Sequence, residues 1–160
     1  MYTLVIIDMQ PSFYHANSSI LLKNISWEIK RAIQDKSAIV FVEYKSAGST
    51  LYDLKKLVNN YPMWDLAIKN TDCGAIEVLD TIEKAGYNKR RLRICGVNIE
   101  CCVKDTIIKL AKLLPETKIE VIREACNGNQ HDFSWVYKIR NCVLEISPNF
   151  LMKEEFIYER

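Results

Sequence analysis

Short, continuous apolar runs separated by segments of helical periodicity dominate this chain. TLVIID at 3–8, SAIVFVEY at 37–44, RLRICGV at 91–97 and KIEVIR at 118–123 suit strands buried on both faces. DLAIK at 65–69 and VLEI at 143–146 are weaker strands of the same kind. Between them, residues 18–34 place Ile20, Leu21, Ile25, Ile29 and Ile33 at roughly helical spacing. Residues 50–59 read as a short helix, residues 75–85 as a helix stopping before Gly86, and residues 132–139 as helical. Residues 102–114 carry Val103, Ile107, Leu110, Ala111 and Leu114 on one stripe, and Pro115 ends the run. Strands alternating with helices predict a parallel sheet covered on both faces through right-handed crossovers.

The 160 residues are expected to form one domain, 1–160. A formal charge of +2, with both signs spread along the chain, gives no electrostatic case for nucleic acid or an anionic membrane. The apolar runs are far too short to span a bilayer. MYTLVIIDMQ at the start lacks a basic n-region and a cleavage site, so a cytoplasmic protein is expected. The six cysteines include no Cys-x-x-Cys, and there are two histidines, which argues against structural zinc and against a disulfide framework.

In open parallel sheets, ligands bind beyond the carboxyl ends of the strands, where strand order reverses. Three such ends carry an acid, a base and a thiol: Asp8, Lys69 and Cys102. A thiol needs deprotonation to act as a nucleophile. A carboxylate can take its proton, a nearby ammonium can stabilise the thiolate, and a first-turn helix position adds the dipole and free N–H groups. Those N–H groups could hold an oxyanion. Together these parts suit acyl transfer through a thioester. Cys95 lies inside an apolar strand and reads as a core thiol, and Cys73, Cys126 and Cys142 read as structural. Nothing in their spacing pairs His15 or His131 with a thiol. In GVNIECCV, residues 96–103, the two adjacent cysteines point about 100° apart on a helix, so both cannot face one site. This geometry permits Cys102 without excluding Cys101. A disulfide between neighbours closes a strained eight-membered ring, which argues against a redox pair.

IIDMQPSF, the isolated lysine of AIKNTDCG, and GVNIECCVKDT occur in the order acid, lysine, cysteine. In these pieces the chain resembles the isochorismatase-like cysteine hydrolases, which include nicotinamidases and N-carbamoylsarcosine amidases. The resemblance runs from the first residue to about Asn127 and is loose over the last thirty or so. It implies an α/β fold, three-layer α/β/α with a mostly parallel six-stranded sheet of order 3-2-1-4-5-6. The motif Asp-x-Gln-x-x-Phe falls on Asp8, Gln10 and Phe13, with Asp8 as proton acceptor and Phe13 as a pocket wall. The lysine falls on Lys69. The motif Gly-Val-x-Thr-x-x-Cys-Val puts the nucleophile on Cys102 rather than Cys101. It also implies a cis peptide at Val97–Asn98 that helps, with Cys102, to shape an oxyanion hole. Phe13, Trp64 and Asn98 are the candidate substrate-pocket residues.

Three departures from the motif stand out. Ile99 replaces a threonine, and Asp72-Cys73-Gly74 replaces a Ser-Ala-Phe segment that contributes to the pocket. YKSAGSTLYD at 44–53 lacks the Asp-x-His-x-x-His metal motif of nicotinamidases. No metal and no cofactor are therefore expected, and nicotinamide is disfavoured as substrate. Isochorismatase works without a cysteine nucleophile, so Cys102 argues against that reaction too. The expected activity is hydrolysis of a small-molecule amide, or a related carbonyl compound, by an Asp8–Lys69–Cys102 triad. The competing expectation is a catalytically weak or inactive relative that binds a small metabolite or a protein partner. The resemblance further implies a homodimer or homotetramer.

Overall fold

The computed structural model describes residues 1–146. The single-domain expectation extends over residues 147–160, which lie outside the described residues. Six strands form the sheet: β1 (Thr3–Ile7), β2 (Ala38–Tyr44), β3 (Trp64–Lys69), β4 (Arg91–Val97), β5 (Lys118–Asn127) and β6 (Cys142–Glu145). Every pairing is parallel, and the order is β3-β2-β1-β4-β5-β6. The expected order is therefore observed, with the reversal between β1 and β4. All five residues of β1 are buried, which is why its sequence shows no alternation.

Four α-helices connect the strands: α1 (Ser19–Gln34), α2 (Tyr52–Lys55), α3 (Ala75–Ala85) and α4 (Lys104–Leu113). The first lies over β1, β2 and β5, whereas α3 lies over β2 and β3 and against α4. Its start is set by Ser18, whose hydroxyl accepts from the Leu21 N–H at 3.2 Å. The buried positions Leu21, Ile25, Ile29 and Ala32 supply its inner face. Among the described residues, no helix is long and apolar enough to cross a membrane.

Four elements differ from their sequence expectations, among them residues 132–139, where the expected helix is a 3-10 turn at Ser134–Lys138. The helix expected over 50–59 is a single α-helical turn followed by a 3-10 turn, Lys56–Val58. The helix expected from residue 102 begins instead as a π-helical turn, Ile99–Val103, in which the Asn98 carbonyl accepts from both Cys101 N and Val103 N. The fifth strand continues four residues past Arg123, through Asn127.

The centre of the β4 side holds a charge that hydropathy does not reveal. Arg93 has no solvent exposure. Its guanidinium donates to both oxygens of Glu28 at 3.0 Å, to Glu120 at 2.8 Å, and to Glu145. The Tyr2 ring lies 5.4 Å from the guanidinium carbon, measured to its centroid. Burial alone would raise the Glu120 carboxyl, but hydrogen bonds from Arg91, Arg93 and Lys118 hold it down at about 2. Its stabilising contribution is thus complete above the ordinary glutamate range and lost as the pH falls towards 2. Glu28 shifts the other way, because its desolvation outweighs the attraction of Arg93.

Arg93→Met leaves these carboxylates without their shared cation. Urea unfolding at pH 7 is expected to show a loss of about 3–5 kcal/mol. The deficit should shrink on lowering the pH to 5, as the orphaned acids take up protons.

Candidate active site

Asp8 follows β1 directly, at the sheet's reversal point. Its backbone is in the left-handed region, φ 55°, and its N–H donates to the Val42 carbonyl at 3.0 Å. This bend turns the carboxylate off the strand end and into the interior, where Asp8 has no solvent exposure. Gln10 staples the same bend to β2. Its side-chain oxygen accepts from Tyr44 N at 2.8 Å, and its amide donates to the carbonyls of Tyr44, at 2.9 Å, and Gly48.

Lys69 ends β3, an edge strand, and reaches inward without solvent exposure. Its ammonium lies 3.0 Å from Asp8 Oδ2. It donates to the Thr71 and Asp72 carbonyls, each at 3.0 Å, and sits 4.5 Å from the Tyr44 ring centroid. The turn that receives it is braced from α4, with Gly74 N donating to the Thr106 hydroxyl at 2.9 Å. A Cβ on Gly74 would come within 2.9 Å of Lys69 Cδ, so the turn passes the lysine stem only as glycine.

Cys102 belongs to the π-helical turn after β4 and is 3% exposed. The approach of β4 to β1 depends on Gly96, where φ is 125° and a Cβ would fall on the Ile7 backbone. The Val97–Asn98 peptide that follows is cis. Cys102 Sγ lies 3.9 Å from Asp72 Oδ1. Burial is the main force on this thiol, and the Asp8 carboxylate adds to it; together they overcome the pull of Lys69 and push the thiol up to about 12. Taken alone, the Lys69 ammonium favours the thiolate. In the structure, burial and neighbouring carboxylates outweigh it, so the resting group is a thiol.

The Asp8 carboxyl is itself raised above the usual carboxylate range, by burial first, against opposition from Lys69 and the Cys102 thiol. Neither of its oxygens accepts a hydrogen bond of good geometry, although both neighbours act on it electrostatically. The Lys69 contact is therefore an ion pair whose well-directed N–H bonds go elsewhere. Cys101 is half-buried, and the carboxylates of Glu100, Asp72 and Asp105 surround its thiol rather than Asp8 and Lys69. Glu100 ties the turn to the end of β5, accepting from Asn129 N at 3.1 Å.

Asp8, Lys69 and Cys102 thus meet at one place. Phe13 lies nearby, half-buried, with its ring edge-on to Tyr44 at 6.3 Å. Val97 is buried and Asn98 half-buried at the strand-to-turn junction. Trp64 does not join them. It starts β3, about 16 Å from Lys69 along the strand, and packs edge-on against Phe41 at 5.9 Å with Lys55 over its face. As the first residue of β3 it stands at the amino ends of the strands, opposite the carboxyl ends where the other residues gather.

Sequence alone does not single out Tyr44 beneath the lysine or Thr106 bracing the turn, and it marks Asp72 only as part of the altered 72–74 segment, not as a neighbour of the thiol. Asp72 carried a usable signal, as an acid three residues after the lysine. A separate cleft of 510 Å³, lined by Met1, Tyr2, Lys36, Tyr87, Asn88 and Arg90 among others, opens at the strands' amino ends, away from these groups. Among the described residues, no group of three or more His, Cys, Asp or Glu is placed to hold a metal ion.

No protein-family model matches the sequence, and no curated protein matches it significantly. Solved structures do match. The nicotinamidase of Staphylococcus aureus superposes with a TM-score of 0.74 at 18% identity, over 90% of this chain and 98% of that one. The N-carbamoylsarcosine amidase of Thermoplasma acidophilum gives 0.72 at 14%, over 95% and 100%. An isochorismatase of Pseudomonas putida KT2440 gives 0.72 at 14%, over 94% and 90%. The fold is isochorismatase-like. In this isochorismatase-like fold, the cluster of Asp8, Lys69 and Cys102 occupies the reversal point of the sheet.

Two outcomes are expected from this geometry. Gly96→Ala should lower the unfolding free energy by more than about 1 kcal/mol in urea, since φ and the Ile7 backbone both oppose a Cβ. Iodoacetamide alkylation of Cys102, followed by peptide mass spectrometry, should keep rising with pH through pH 10 without a plateau near neutrality.

Proposed function

We propose that this chain is a cysteine hydrolase that cleaves a small amide, or a related carbonyl C–N compound, through a thioester on Cys102. The observation that carries the reading is the solvent-free Asp8–Lys69 ion pair set beside a buried thiol. Two charges are withdrawn from water there, and one of them keeps unused acceptor capacity. Structural ion pairs of this cost normally satisfy every oxygen, as the Arg93 cluster nearly does. The related folds of a nicotinamidase and an N-carbamoylsarcosine amidase support the same chemical class.

In this mechanism Asp8 is the general base. Its raised carboxyl is a better proton acceptor than an exposed aspartate. As the Cys102 sulfur attacks the carbonyl carbon, its proton passes to Asp8, so no free thiolate is needed in advance. Backbone N–H groups around Asn98 and Cys102 hold the oxyanion. Asp8 returns the proton to the leaving amine as the C–N bond breaks, leaving the thioester. Water then attacks the thioester with Asp8 again as base; the acid departs and the thiol recovers its proton. Lys69 keeps Asp8 oriented and balances its charge. Phe13 and Asn98 border the substrate. The reading assigns no metal, in keeping with a 44–53 segment free of histidine.

A second reading, a relative that binds a metabolite or partner without turnover, draws on the 3% exposure of Cys102 and its raised thiol. A hydrolysis screen of small amides separates the two. Cys102→Ala should abolish activity, and Asp8→Asn should lower kcat by about 10²–10⁴ while circular dichroism shows an unchanged fold. Turnover that survives Cys102→Ala would sink the thioester mechanism.

A further inference from the structure

The turn between Lys69 and α3 brings an exposed carboxylate against the buried thiol. Asp72 is exposed to solvent, yet its Oδ1 lies 3.9 Å from Cys102 Sγ. The contact is held from both sides of the turn. The Asp72 carbonyl accepts from Lys69 Nζ at 3.0 Å, and two residues on, Gly74 N is anchored to Thr106 at 2.9 Å. The charged groups acting most strongly on the sulfur are Asp8, Lys69 and Asp72. Asp8 and Lys69 are each other's counterion. Asp72 is therefore the charge left unbalanced beside the nucleophile.

A second observation points to a ligand rich in N–H donors. Both Asp8 oxygens are buried and neither accepts a well-directed hydrogen bond, although the Lys69 ammonium stands 3.0 Å from Oδ2 and the Cys102 thiol acts on the carboxylate. Such acceptors are normally paired in a folded interior. An occupant that brings N–H groups would satisfy Asp8 from within and Asp72 from the solvent side. We propose that Asp72 is a specificity determinant that binds a positively charged group of the substrate, a primary ammonium or a guanidinium a few bonds from the scissile carbonyl. The proposal rests on the hydrolase reading and names the substrate class for it. A neutral or anionic amide would have to place its acyl or leaving portion against an unbalanced carboxylate. A cationic one would balance that carboxylate as the thiol loses its proton, so the correct substrate would also favour ionisation of the nucleophile.

Charge-selective thiol labelling of the whole protein tests this. Cys102 is modified at low ionic strength with 2-aminoethyl methanethiosulfonate, a cation, or 2-sulfonatoethyl methanethiosulfonate, an anion. In each, the thiolate attacks the sulfenyl sulfur, an S–S bond forms and methanesulfinate leaves. Peptide mass spectrometry follows Cys102 separately from Cys73 and Cys101. Each rate is divided by that of 2-mercaptoethanol with the same reagent. The normalised cation-to-anion ratio is expected to exceed about tenfold in the wild type. It should fall to within about twofold of unity in Asp72→Asn, which keeps the shape of the side chain and removes its charge. A wild-type ratio near unity, a ratio unchanged in Asp72→Asn, or no labelling of Cys102 by either reagent would overturn the proposal. These ratios report the charge around the sulfur whether or not an amide is hydrolysed. Their failure is thus separable from that of the thioester mechanism, which Cys102→Ala reads in the hydrolysis screen.

Discussion

An ammonium and a carboxylate 3.0 Å apart, neither touching solvent, place strict demands on the chain around them. Two charges withdrawn from water are tolerated only with close geometry and supporting hydrogen bonds. Lys69 must cross beneath β2 from an edge strand to reach Asp8, which puts its stem past Gly74 and its head over the Tyr44 ring. Asp8 must leave β1 through a left-handed residue, and Gln10 must hold that bend against Tyr44 and Gly48. The 71–74 turn must then offer two carbonyls to the ammonium. Each of these features makes local sense only when the ion pair is taken first.

The state of the thiol follows from the same arrangement. Burial acts most strongly on the sulfur, and two carboxylates facing a single cation add to it, so Cys102 is held as a thiol with a base beside it. Proton transfer coupled to attack suits these groups better than a standing thiolate. Asp72 becomes informative in this light. It is an exposed acid that touches the thiol at 3.9 Å and has no ion pair with Lys69.

A second buried ionic cluster on the other half of the sheet gives a useful contrast. Arg93 is as buried as Lys69, but its guanidinium is shared among Glu28, Glu120 and Glu145, which leaves one nitrogen without a partner. That cluster ties α1, β4, β5 and β6 together. The Asp8 cluster, by comparison, gives its carboxylate an ion pair at 3.0 Å but no well-directed hydrogen bond. Two clusters of similar burial thus differ in how fully their hydrogen bonds are completed.

Much of the fold was legible because its signals are local. Apolar runs marked β1, β2, β4 and most of β5, and helical spacing marked α1 and α3 within a residue or two. Their alternation implied a parallel sheet, and parallel strands expose their carboxyl ends together, so Asp8, Lys69 and Cys102 were candidates by position, and the motif resemblance chose them. The charge balance between them was not legible. It depends on separations among residues tens of positions apart, and those are decided by packing. Trp64 is a different case, since its place before the strand at 65–69 already sets it at the amino end, whereas Arg93 reads as an ordinary strand residue because hydropathy cannot register three carboxylates arriving from other elements.

The π-helical turn at Ile99–Val103 shows the same division at the scale of one turn. Sequence spacing shows that a helix follows β4, but the Asn98 carbonyl, shared by Cys101 and Val103, widens its start. By itself the sequence determined strand content, their parallel arrangement, and which acid, base and thiol could meet. The motif resemblance favoured Cys102 over Cys101, but only the tertiary structure decided that its thiol lies among Asp8, Lys69 and Asp72. Hydrophobic periodicity is written along the chain, whereas electrostatics depends on distances through space that folding alone establishes.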